Sequence, residues 1–190
     1  MGHRNRSGWP RTTPKGDRVM AGIVGRVAVG ALLLAIAAGA HGWTTEIEKL
    51  KDVNTLCEWE PESQCSWAVR IGANKPGVDM HGASMASMRL DKANLQGADL
   101  SGAILQLASL EGANLMLANM KGAHLHGVNF RGANLTLANL ENANLLDADL
   151  SGANLRGANL NGAILIQARF DNAIWVDGRR CAPGSIGTCR

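Results

Sequence analysis

Large apolar residues recur at every fifth position through the middle of the chain, nineteen times without an insertion from Met85 to Trp175. Each is Leu, Met, Phe or Trp, and seventeen of the nineteen have Ala two positions earlier, Met88 and Val128 being the exceptions. The clearest stretch runs Ala133-Asn134-Leu135-Thr136-Leu137, Ala138-Asn139-Leu140-Glu141-Asn142, Ala143-Asn144-Leu145-Leu146-Asp147, with Asn or Asp between the two apolar positions and Gly frequent at the end of other units. A period of five matches neither the 3.6 of a helix nor the 2 of a strand, so neither element could keep these residues on one side for long. A chain that turns a corner once per unit can. Each side then points one large and one small residue inward, the Leu and the Ala, and the Asn or Asp, the variable residue and the Gly outward. Glycine suits corners that need backbone freedom. Stacked coils would satisfy one another's backbone groups as neighbouring strands do, at roughly 4.8 Å per coil.

Composition fits that interior. Two Phe, five Trp and no Tyr accompany 28 Ala and 23 Leu among 190 residues, so small and medium apolar side chains must fill the core. The net charge of +3 is unevenly spread. Residues 1–40 hold six Lys/Arg against Asp17 alone, whereas residues 41–190 hold thirteen Lys/Arg against fifteen Asp/Glu. Basicity therefore belongs to the N-terminus, and the body has neither the basic patch nor the interleaved aromatics of a nucleic-acid binder. No Gly-rich phosphate loop, Gly-x-Ser-x-Gly or His-Glu-x-x-His occurs, and Asp99, Glu111, Asp149 and Asp171 are scattered among outward positions. The chain reads as a non-enzyme without catalytic residue, cofactor or metal. His124 and His126 flank one centre, but they lack a third donor on their side and read as solvated. Asn134-Leu135-Thr136 matches a glycosylation acceptor only because the repeat contains it.

The ends carry different signals. Val27 to Ala38 is an uncharged run of twelve, followed by Gly39 and Ala40, too short for a comfortable membrane span and suited to a signal peptide cleaved before His41. The start is Met1 or Met20. Retention of residues 20–40 as a membrane anchor is the alternative, and both readings place the remainder across the membrane. Cys57 and Cys65, and likewise Cys181 and Cys189, each enclose seven residues, and all four lie outside the repeat. Even cysteines in an exported chain read as disulfides, and local pairs Cys57–Cys65 and Cys181–Cys189 are expected because a solenoid holds its ends apart. Thr45 and Glu48 have capping-box spacing at the head of a helix expected over 45–56. The organisation expected is a leader or anchor (1–40), an N-terminal cap with helix and disulfide loop (41–77), the repeat (78–177) and a C-terminal cap loop (178–190). Location is exported, periplasmic or secreted.

The A-(N/D)-L-x-G pattern resembles the pentapeptide-repeat family. The resemblance implies an all-β fold, a right-handed quadrilateral β-helix with four pentapeptides per coil, here about five coils with short helical or disulfide-loop caps. It also implies binding and not catalysis. With four units per coil, residues twenty apart share a side, and Ile104, Leu107, Leu146, Ile164 and Ile166 then fall together where the repeat does not require apolar residues. An adjacent side adds Met116, Leu117 and Leu137. Such patches mark interaction sites, so the expected partner is another protein, a second copy, or the terminal segments of the same chain. Some family members are DNA mimics that protect gyrase. Residues 78–177 hold six Lys/Arg against nine Asp/Glu, an acidic balance too slight to favour that alternative.

Overall fold

The computed structural model describes residues 57–190. They form a four-sided β-helix in which each side is a single bridge position followed by a corner. Every bridge from Gln64–Ser84 to Asn154–Ile174 is parallel and joins residues twenty apart. The first side runs Gln64, Ser84, Ile104, His124, Asn144, Ile164; the second Val69, Arg89, Ser109, Asn129, Asp149, Arg169. Asn74, Asn94, Asn114, Asn134, Asn154 and Ile174 line the third, and Asp79, Asp99, Asn119, Asn139 and Asn159 the fourth. From Gln64 to Ile164 the stack rises five steps, about 24 Å.

Every backbone N–H of a consensus unit has a defined partner, and this explains the repeat more fully than its apolar spacing does. In the unit around Leu100, Asp99 donates to the Val78 carbonyl of the coil before, and Leu100 and Gly102 donate to Asn119 and Lys121 of the coil after. Ala103 closes the corner onto Leu100 at 3.1 Å. The remaining amide, Ser101, donates to Asp99 Oδ1 at 2.9 Å. The Asn or Asp is thus an internal acceptor for the one amide that no neighbouring coil reaches. Asn side chains also join coil to coil. On the third side Asn94, Asn114 and Asn134 each donate to the Asn twenty residues earlier. On the fourth Asn119, Asn139 and Asn159 do the same.

The corner residue two after each centre has positive φ throughout, from Glu62 at 56° to Asn172 at 57°. The corners hold one left-handed conformation whether or not they carry Gly. Inside, every centre from Met80 to Leu155 is fully buried, with the alanines packed between them.

The coils begin before residue 78, where the sequence places their start. The phase already holds at Cys65, Arg70 and Lys75, with Ala68 and Ala73 two positions earlier and Gly72 and Gly77 at the corners. The stack is therefore close to six coils, not five. Cys65 is no cap-loop residue: it is fully buried at a centre and bonded to Cys57 across an S–S distance of 2.08 Å. Trp59 packs beside it, 5.5 Å from the Lys75 ammonium. The leader, the apolar run and the helix expected over 45–56 lie outside the described residues.

At the other end the chain reverses. Residues 179–187 pair antiparallel with the last coil, Ile174 with Arg180 and Arg169 with Ile186. The Cys181–Cys189 disulfide, at 2.01 Å, closes this segment, and Phe170 meets Trp175 edge-on at 5.0 Å.

Candidate functional site

The four sides differ only outside. The second is charged and self-neutralised: Arg89 pairs with Asp91, Arg131 with Asp149 and Arg169 with Asp171, each at 3.2 Å. Burial pushes the Asp149 carboxyl up, but hydrogen bonds from Ser151 and the guanidinium groups of Arg169 and Arg131 outweigh it and hold the group below the usual range. Asp171 is lowered first by the Gly184 amide, which ties the C-terminal segment down. A shallow depression of about 290 Å³ lies here, lined by Arg131, Ser151, Gly152, Arg169, Asp171 and Asn172. Its two cations and one carboxylate are already engaged in ion pairs, so it offers no unpaired charge to a ligand. The third and fourth sides carry the Asn ladders.

The first side breaks the rule of the coil. Asn144 accepts the Leu146 amide at 3.1 Å, but Ile104 and Ile164 stand at equivalent positions with no side-chain oxygen to offer. Both are exposed, Ile104 at 38% and Ile164 at 46%, with Ile166 at 63% and the corner residue Leu107 at 65%. Leu146 is only half-buried. The register divides these five residues into two clusters. Ile104 and Leu107 lie in the third coil; Leu146, Ile164 and Ile166 lie at the C-terminal end, with His124 and Asn144 separating Ile104 from Ile164. They do not form one continuous stripe.

Leu107 holds φ 58°, Leu117 62° and Leu137 58°, conformations costing an L-residue roughly 1–2 kcal/mol. Leu107 leans over the next corner down: a Cβ on Gly127 would come within 2.8 Å of it, and one on Gly157 within 2.7 Å of Leu137. Each exposed leucine thus rests on a glycine that leaves room for it. Leu117 and Leu137 follow one another on a different corner, beside half-buried Met116.

The histidines lie apart. His81 Nδ1 meets Asp79 Oδ1 at 2.8 Å, and this hydrogen bond raises the imidazole pKa. His126 Nε2 lies 3.3 Å from Asp147. No group of three metal-ligating side chains occurs among the described residues. Asn134 of the apparent acceptor motif is engaged by the amide and hydroxyl of Thr136 and by Asn114.

Two features were not read from the sequence: the first coil, and the acceptor role of Asn and Asp. The first was signalled by Ala68, Gly72, Ala73 and Gly77, which hold the phase although Arg70 and Lys75 interrupt the apolar centres. The second had no sequence signal beyond the recurrence of Asn and Asp.

Geometry of this kind defines a four-sided β-helical scaffold that presents side chains on flat faces. The profile of the family described as pentapeptide repeats (8 copies) matches residues 77–106, 93–132 and 133–172. This chain belongs to the pentapeptide-repeat family, whose members are in general structural or binding modules. Among solved structures it is similar to Rfr23, a pentapeptide repeat protein from the cyanobacterium Cyanothece 51142, at 30% identity over 70% of this chain and 99% of that one, with a TM-score of 0.58. It is also similar to HetL from the cyanobacterium Nostoc sp. strain PCC 7120, involved in heterocyst differentiation regulation, at 27% identity over 63% of this chain and 75% of that one, with a TM-score of 0.27. A trypsin-treated form of QnrB1, a plasmid-mediated fluoroquinolone resistance protein, aligns at 17% identity over 63% and 76%, with a TM-score of 0.36. The last two superpose too loosely to say anything about function. No curated protein sequence matches the chain.

Proposed function

We propose that this protein is an exported, non-catalytic binding module that engages a protein partner through the apolar residues of its first side. The observation that carries the reading is the exposure of Ile104, Leu107, Ile164 and Ile166 at positions where the coil itself calls for Asn, Gly or a polar residue. Two of them forgo a hydrogen bond and Leu107 occupies a left-handed conformation, so they weaken the coil that displays them. Apolar residues retained against local cost mark a contact.

Export is supported by the two disulfides, which suit an oxidising compartment, and by the leader-like residues 20–40. Sequencing the N-terminus of the natural protein should find His41; Met1 or Met20 would favour an anchored scaffold.

Restoring the repeat tests the binding role. The triple variant Ile104→Asn, Leu107→Gly, Ile164→Asn should melt at or above the wild-type temperature, since each change supplies what the coil prefers. Partners crosslinked to the wild-type protein in its own compartment should be lost. Undiminished capture by this variant would end the proposal.

A further inference from the structure

The C-terminal segment covers only half of the last coil. On the second side, Ala168 C=O and Phe170 N–H flank Arg169 and pair with Gly187 N–H and Ser185 C=O, both at 2.8 Å. On the third, Ala173 C=O and Trp175 N–H flank Ile174 and pair with Cys181 N–H and Arg179 C=O, again at 2.8 Å. The fourth and first sides present the same pairs of groups: Ala158 C=O with Leu160 N–H, and Ala163 C=O with Leu165 N–H. Among the described residues nothing bonds to any of these four. The core is open there too. Leu160, Ala163 and Leu165 are only half-buried, whereas every centre from Met80 to Leu155 is fully buried.

Natural sheet edges are protected by charges, Pro, bulges or a covering element. Residues 158–168 contain no charge and no Pro, and no covering element lies on them. This edge is also complementary to itself. A carbonyl before and an amide after one residue, both facing outward, are the groups exchanged by a non-hydrogen-bonded antiparallel pair. Two copies related by a two-fold axis at Ile164 can therefore form two hydrogen bonds, Ala163 C=O to Leu165 N–H in each direction. The molecule's own cap already satisfies its edge in this way at Arg169 and Ile174.

We infer that the uncapped edge at Ile164 binds a second copy of this chain, antiparallel and end to end, so that each last coil completes the cover of the other. Uncharged Asn159, Asn161 and Gln167 meet their counterparts without repulsion, and Leu160, Leu165 and Ile166 lose their exposure. The inference rests on backbone groups of the last coil and is independent of the partner proposed for the first side.

Sedimentation of the full chain tests it. The wild-type protein should run at twice the mass of one chain. Ile164→Arg sets two like charges against each other at the axis and should run as a monomer, with an unchanged melting curve because Ile164 is exposed. Ile104→Arg, on the same side three coils away, should remain a dimer. Ile164→Cys should form a disulfide-linked dimer under mild oxidation, because paired Cα atoms about 4.5 Å apart fall within disulfide reach, whereas Ile104→Cys should not. A monomeric wild-type protein, or a dimer that survives Ile164→Arg, would overturn the inference. So would loss of the dimer in both arginine variants, or equal crosslinking of the two cysteine variants.

Discussion

The third and first sides of this β-helix have the same interior and opposite exteriors. Behind Asn114 and behind Ile104 the chain buries the same Leu and Ala, closes the same left-handed corner and makes the same bonds to the coils above and below. Outside, Asn114 accepts the Met116 amide at 3.3 Å and bonds to Asn94 and Asn134; Ile104 can do neither. The difference separates two demands on one sequence. Inward positions and most outward Asn and Asp answer to the coil, and residues that depart from them must be explained by something the coil does not need.

The largest effect should be blind to this distinction. Leu115→Ala on the third side and Leu105→Ala on the first should each lower stability by about 2–5 kcal/mol, as buried Leu to Ala changes do. Chemical denaturation giving losses that differ by more than a factor of two would mean that the two interiors are not alike. A smaller effect should reverse sign between the sides. Asn114→Ile should cost about 1–2 kcal/mol by removing the amide acceptor and breaking the ladder, and Ile104→Asn should gain up to about 1 kcal/mol. If the two substitutions shift the melting temperature in the same direction, the account of the Asn position is wrong.

The smallest effect concerns the second side. Asp149 has a depressed pKa in the folded state, so its contribution is present above the unfolded value near 3.9 and is lost as pH falls through the folded value. Between pH 5 and acid, Asp149→Asn should flatten the decline in stability by less than about 1 kcal/mol, since the pairs are partly exposed. An identical acid profile for wild type and variant would remove the ion pairs of that side from consideration.

Much of this was legible because the repeat states its interior twice per unit, in Leu and in Ala, and a period of five admits few folds. The two cysteine pairings were legible from spacing, since eight residues separate each pair. The true N-terminal limit was hidden by Arg70 and Lys75, long side chains standing at centres near the end of the stack, where a charged tip can reach water. The aliphatic positions on the first side could be named from the sequence, but not their division into two clusters. That division depends on the side chains of the intervening coils, His124 and Asn144. Least visible was the half-covered C-terminal end, because whether Ala163 C=O finds a partner depends on where residues 179–187 turn, and no local residue pattern encodes that.

The hydrogen bonds between coils have one more consequence, for the order in which the chain assembles. Met85 donates nineteen residues ahead and Ser84 twenty-one residues back, and this offset is the same at every level. Although the fold is all β, no coil has to find a partner from a distant part of the sequence, and each closure costs the same chain entropy as the one before. Growth from any preformed coil is then a zipper with equal steps, in which the sixth coil is as quick to add as the third.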